Sequence, residues 1–297
     1  MTRVETKAVI DIGTNSVLML IAARDATGGV QVVDDLVRIC RLGQGVAGSG
    51  VLLPEAIERT AAALAEYRQI AQAHGARIVA VATEGLRMAK DPSPFLERAR
   101  QVLGVPVRMI SGDEEAELSY RSVAVEHGPG PLRVIDIGGA STELVVGRGE
   151  AIVHRRSHPI GSVRLSERFL DGDPPSRRAV EAIAAAAREA FATQRVTPHR
   201  KLHGLAGTVT TVAALLLELA QYDRDRVDGS QWSQEQVLAL RDRLAVMTIA
   251  QRMQSPMLPA GRADVIVAGA TILLEAMRHC GASVLVVRDR GLRYALV

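Results

Sequence analysis

Cysteine, aromatic residues and lysine are scarce in this chain. The two cysteines, Cys40 and Cys280, stand far apart and outside any Cys-x-x-Cys or Cys/His spacing. That excludes a disulfide framework and a thiolate zinc site, and both read as buried thiols of a reducing compartment. Aromatics are 3% of the residues, so the cores must be built from Ala, Val, Leu and Ile. Lysines are only Lys7, Lys90 and Lys201, which leaves 33 of the 36 basic residues as arginine. Arginine suits bidentate phosphate contacts, although a base bias in the genome leaves the same mark. A net charge of +3 is too small to argue for a specific nucleic-acid partner. No apolar run reaches the roughly 18 residues of a membrane span, and the first residues lack signal-peptide architecture. The expected location is the cytoplasm, with no membrane partner. At 297 residues the length predicts two domains with sizeable cores.

What is present is a repeated loop. The stretch Val134-Ile-Asp-Ile-Gly-Gly-Ala-Ser-Thr-Glu143 reads as a buried strand, 132–137, running into a turn of small residues. Backbone N–H groups of Gly138, Gly139, Ala140, Ser141 and Thr142 can converge there on an anion. Asp136 at the strand end cannot hold a phosphate, but it can hold a Mg²⁺ that bridges to one. Near the N-terminus, Val9-Ile-Asp-Ile-Gly-Thr-Asn-Ser16 repeats the pattern, with Asp11 matching Asp136. Gly13, Thr14, Asn15 and Ser16 form its turn. Two copies this far apart predict duplicated α/β domains. A third anion-binding opportunity follows in Gly204-Leu-Ala-Gly-Thr208, where Gly207 and Thr208 open a helix.

The clearest linker is Gly128-Pro-Gly-Pro131, so the domains are expected at 1–127 and 128–297. Each should open with a three-stranded meander, at 8–12, 17–23 and 30–34 and again at 132–137, 143–147 and 151–156. Helices are expected at 54–74, 93–103, 111–127, 161–170, 176–194, 234–246, 262–279 and 291–297, with another running to Leu219 after the strand 201–206 and its glycine-threonine turn. Arg41 lies in a polar, Gly-rich loop where it could reach an anion. Arg87 opens a helix after a strand, and is either a phosphate contact or a solvated arginine. The cluster Ser111-Gly-Asp-Glu-Glu-Ala-Glu117 fits a helix N-terminus, and Ser111 with Glu114 matches a capping box. Glu115 and Glu117 are expected to be solvated. The histidines show no cluster.

Taken together, these motifs resemble the exopolyphosphatase and guanosine pentaphosphate phosphohydrolase family. Its carriers are Asp11-Ile-Gly-Thr-Asn-Ser16, Ala82-Thr-Glu-Gly-Leu-Arg87, Ile110-Ser-Gly-Asp-Glu-Glu-Ala116, Asp136-Ile-Gly-Gly-Ala-Ser-Thr-Glu143, Gly204-Leu-Ala-Gly-Thr208 and Arg262-Ala-Asp-Val-Ile-Val-Ala-Gly269. The resemblance spans essentially the whole chain. It implies two actin-like ATPase (ribonuclease H-like) α/β domains with an interdomain cleft, and metal-dependent hydrolysis of a terminal phosphoanhydride. By motif position Glu114 would be the catalytic glutamate, entering from the opposite domain. Asp136, Glu143 and Asp11 would be the carboxylates associated with Mg²⁺ or Mn²⁺. Arg87, the two aspartate loops and the Gly207-Thr208 turn would hold phosphates. Departures are Ala140 in place of a third glycine, Gly85 where alanine is common, and Tyr294-Ala295 where the family ends in Glu-Gly. The extra C-terminal helical domains of longer members do not follow Val297, which implies a preference for short polyphosphate. The motifs do not separate inorganic polyphosphate from a phosphorylated guanosine nucleotide such as pppGpp. A kinase-like or actin-like ATPase, or a non-catalytic polyphosphate binder, would use the same fold. A homodimer is common in the family.

Overall fold

The computed structural model describes residues 5–26 and 28–297. Among the described residues, eleven strands form two mixed sheets. In the first, β1 (Lys7–Ile12), β2 (Ser16–Arg24), β3 (Val30–Ile39), β4 (Arg77–Ala82) and β5 (Val107–Met109) run in the order β3-β2-β1-β4-β5. The second contains β6 (Pro131–Ile137), β7 (Thr142–Arg148), β8 (Ala151–His158), β9 (Lys201–Leu205), β10 (Gln231–Ser233) and β11 (Val284–Val287). Its order is β10-β11-β9-β6-β7-β8. Without the edge strand β10, this is the first sheet's order again. β1 pairs antiparallel with β2 and parallel with β4, just as β6 pairs with β7 and β9. Even the bulges correspond. Register shifts fall between Ile21 and Ala22 in β2 and between Val146 and Gly147 in β7, positions separated by the same offset as Asp11 and Asp136. The repeat in the sequence is therefore a repeat of folding units.

The chemistry of the elements explains their places. The apolar residues of β1 and β6, the central strands of their sheets, have no water-facing side: Val9, Ile10, Val134 and Ile135 are all buried. The Pro54–Ala73 helix starts with proline in its first turn and stops before Gly75 at φ +58°, a conformation that costs glycine little. It packs Leu64, Tyr67 and Ala71 into the first core with Ile10, Ile12 and Phe95. The Ile266–His279 helix is buried over nearly its whole length in the second core, as its apolar sequence requires.

The chain divides into two compact units, residues 1–118 with Leu292–Val297, and Ser119–Gly291. The Gly112–His127 helix runs unbroken through the junction, and the C-terminal helix Leu292–Ala295 belongs to the first unit. Other departures are local. The helix expected from 262 begins at Ile266, and the residues before it form a turn. Gly261 takes φ +78° there, and the buried Arg252 guanidinium donates to the Ala263 carbonyl at 3.0 Å. β3 runs on to Ile39 because β2 offers partners along its length. Glu115 is buried, not solvated. His127 and His203 meet edge to face with ring centroids 5.0 Å apart, a contact between residues distant in sequence.

Candidate active site

In the second unit the Gly138 turn closes through a hydrogen bond from Gly138 N to Ser141 O of 3.0 Å. Gly139 and Ala140 form its apex. The helix Ser162–Phe169 braces this turn from behind. Ser162 N donates to Gly138 O at 3.0 Å, and Val163 N and Arg164 N to Gly139 O at 2.8 and 3.0 Å. The approach is so close that a Cβ on Gly161 would stand 2.4 Å from the Gly139 carbonyl. Ala140 and Ser141 are buried, and the Thr142 hydroxyl is committed to Ile160 O at 2.7 Å. Thr142 thus fixes the turn's exit through its side chain.

Asp136 and Glu143 are direct cross-strand partners on β6 and β7, and Ser157 continues the row on β8. Residues so paired share one face of the sheet, with Cβ atoms about 5 Å apart. Ser157 Oγ donates to Glu143 Oε1 at 2.6 Å, and Ser119 Oγ to Asp136 Oδ2 at 2.6 Å. Glu143 is 1% exposed. Burial raises the Asp136 carboxyl above the ordinary carboxylate range, and the Ser119 hydrogen bond opposes that rise. Two neighbouring carboxylates in a buried place disfavour joint ionisation unless a cation joins them. The donor set therefore fits a divalent ion. No group of three or more His, Cys, Asp or Glu residues able to hold a metal occurs among the described residues.

The third turn also lies in this unit. Ala206, the first residue of the Ala206–Leu216 helix that follows β9, takes φ +69°, a conformation non-glycine residues rarely adopt. Gly207 follows at the helix N-terminus, and the Arg262 guanidinium lies 3.7 Å from where a Gly207 Cβ would be. Burial lowers the Arg262 pKa, with Tyr222 acting in the opposite sense. Thr208 packs against Gly269, where a Cβ would come within 2.6 Å of its methyl group. In the sequence, Arg262 stands within a motif with nothing to mark it as a site residue. Its signal is the turn before the Ile266–His279 helix, which an unbroken apolar period conceals.

In the first unit the Gly13 turn repeats the same closure, Gly13 N to Ser16 O at 3.0 Å. It too is braced by the segment after its third strand. Asn15 O accepts from Cys40 N and Arg41 N at 3.0 and 2.8 Å, and Thr14 O from Gly43 N at 2.9 Å. Arg41 thus sits beside the turn through its backbone. Gly85 abuts Thr14, at 2.8 Å from a Cβ to the Thr14 backbone. The glycine that departs from the family's alanine is thus matched to a close approach. Asp11 faces Leu18, not a second carboxylate, across β1 and β2. The charge of Asp11 acts on the buried Arg293, which is ion-paired to Asp35.

Arg87 donates to Glu84 Oε2 at 3.0 Å, to Glu115 Oε2 at 3.2 Å and to the Ile110 carbonyl. It ties the short Glu84–Arg87 helix to the start of the Gly112–His127 helix. Glu114 lies in the first turn of that helix. Its N–H donates to Ser111 Oγ at 3.1 Å, so Ser111 caps the helix, while its carboxylate is ion-paired with Arg108 at 2.6 Å. Within each unit, then, Asp136, Glu143 and the Gly138 turn come together, as do Gly207, Thr208 and Arg262, and as do Arg87, Glu84 and Glu115.

The model of the Ppx/GppA phosphatase family matches residues 20–297. The chain is 40% identical over 287 residues to exopolyphosphatase 2 of Mycobacterium tuberculosis, covering 92% of this chain and 90% of that protein. Among solved structures, an exopolyphosphatase-like protein superposes with a TM-score of 0.91 at 34% identity, over 99% of this chain and 96% of its own. The Ppx/GppA enzyme of Aquifex aeolicus gives a TM-score of 0.83 at 33% identity, over 99% of both chains.

Proposed function

This chain belongs to the Ppx/GppA phosphatase family, and from that premise we propose that it is an exopolyphosphatase, releasing orthophosphate from the end of inorganic polyphosphate. The observation that carries the reading is the Asp136–Glu143 pair beside the Gly138 turn. Asp136 and Glu143 would hold Mg²⁺ or Mn²⁺, which when bound supplies positive charge against the phosphate oxygens. Phosphoryl transfer needs positioning and charge neutralisation more than covalent chemistry, and this unit provides both. The turn amides orient phosphate oxygens. Arg262, at the Gly207 helix start, adds a fixed charge in a partly desolvated place, where it counts for more than in water. Glu114 is the general base that takes the proton from the attacking water, a role typically worth about 10²–10⁴-fold in rate. Arg87, saturated by Glu84, Glu115 and the Ile110 carbonyl, acts by holding the Glu114 helix start against the strand-end loop. Activity is expected in a cytoplasmic, metal-replete setting.

The test is phosphate release from inorganic polyphosphate and from pppGpp, each with Mg²⁺ or Mn²⁺. Release from polyphosphate with the higher kcat/KM is expected. Binding without release, or release from pppGpp alone, would overturn the reading.

A further inference from the structure

Ser119 and Ser157 lie outside every motif named above, yet each makes a 2.6 Å hydrogen bond to one carboxylate of the pair, Ser119 to Asp136 and Ser157 to Glu143. We infer that these two hydroxyls are positioning residues that hold Asp136 and Glu143 in the orientation that takes up the divalent cation. The inference rests on the metal reading of that pair.

Three observations carry it. The bonds are short, at the close end of the O–H···O range. The serines come from two different elements, the Gly112–His127 helix and β8, so the carboxylates are gripped from separate sides. Finally, the repeat provides an internal control. In the second sheet the cross-strand row reads Asp136, Glu143, Ser157. In the first sheet the corresponding row reads Asp11, Leu18, Val37. Where the second carboxylate is missing, its hydroxyl partner is missing as well. A serine kept only for strand formation would have no reason to follow the glutamate, since valine is the better strand former. A free carboxylate on a two-bond stem rotates, and a site that must capture a small, strongly hydrated ion loses affinity when its ligands are not pre-set. Outer hydrogen bonds of this kind are typically worth about 10–100-fold in metal affinity.

The experiment is Mn²⁺ binding followed by the loss of the free-ion EPR signal. It uses the full-length wild type, Ser157→Ala, Ser157→Thr, Ser119→Ala and Asp136→Asn, with thermal melting of each. The metal dependence of phosphate release is measured alongside. Ser157→Ala is expected to weaken Mn²⁺ binding about tenfold or more and to raise the metal concentration for half-maximal rate, while Ser157→Thr restores both. Ser119→Ala should act in the same direction, and Ser157 decides the matter if that buried position does not tolerate the change. Wild-type Mn²⁺ affinity in Ser157→Ala, with affinity lost in Asp136→Asn, would overturn the inference and leave the metal reading standing. Wild-type affinity in Asp136→Asn would overturn the metal reading itself, and this inference with it.

Discussion

Glu114 is the residue at which the cap and base readings part. Its N–H is capped by the Ser111 hydroxyl, while its carboxylate meets Arg108 in an ion pair whose two side chains are 37% and 53% exposed. Exposed pairs of this kind contribute about 0–1 kcal/mol, so Glu114→Gln should leave the melting temperature almost unchanged. Glutamine cannot take a proton from water. As the general base, Glu114→Gln should lower kcat by roughly 10²-fold or more with KM little altered. Steady-state kinetics beside a melting curve separate the two roles, and wild-type kcat in the variant would return Glu114 to the surface. Its neighbour shows what spacing alone conceals. Glu115 looks like another solvated carboxylate of an acidic helix start, but it is buried against Arg87. The sequence places three acidic residues, Asp113, Glu114 and Glu115, in the helix's first turn, and only packing decides which of them turns inward.

At the scale of elements, the Gly138 turn depends on the helix behind it. Gly161 precedes Ser162–Phe169, and its bare Cα lets that helix start reach the Gly138 and Gly139 carbonyls. A methyl group there would stand 2.4 Å from the Gly139 carbonyl and 2.5 Å from Ala140 N, closer than atoms can pack. Gly161 has φ −155°, so a side chain is refused by space alone. Gly161→Ala should therefore push the turn off its support. The expected result is a loss of stability on the order of 1–3 kcal/mol, typical of overpacking, with a larger fall in phosphate release than the folded fraction explains. Denaturant unfolding and kinetics on the folded protein check both parts. Much of this level was legible. Strand, aspartate and glycine turn were readable twice because a buried parallel strand ends in small residues for one local reason. Helices with clear punctuation were readable as well, Ser93–Leu103 to the residue and Gln234–Ala245 from its Ser233/Gln236 capping box. The brace at Gly161, the Arg262 turn and the Ser157 hydroxyl were not. Each acts on a partner distant in the chain, and none leaves a periodic mark. The short β10 and the Thr248-capped helix Ile249–Arg252 were missed because neither is long enough to show a period.

For the molecule as a whole, duplication supplied two equivalent turns, and sequence divergence made them unequal. Strand order, turn closure and bulge position match between the units, so differences between them reflect side chains on a common frame. Around Asp136 the frame carries Glu143 and two serine donors, a set that accumulates negative charge and asks for a cation. Around Asp11 it carries Leu18 opposite, and the charge of Arg293 acts on Asp11 from the same unit. A guanidinium is a permanent cation, so the first aspartate already has a positive charge built into the chain, whereas at the second the proposed metal ion would supply one. The two aspartates, alike in sequence, should therefore respond differently to one substitution. Asp136→Asn is expected to lose most Mn²⁺ binding and most phosphate release. Asp11→Asn should retain Mn²⁺ binding within about twofold, because it removes no part of the carboxylate pair. Its cost should fall on stability, since the buried Arg293 would lose one of the carboxylates whose charge acts on it, and thinning the charge around a buried cation is costly. Mn²⁺ titration and thermal melting of both variants test this. Equal loss of metal by the two would mean that both aspartates serve one ion, and that the divergence around Asp11 has no bearing on where the cation sits.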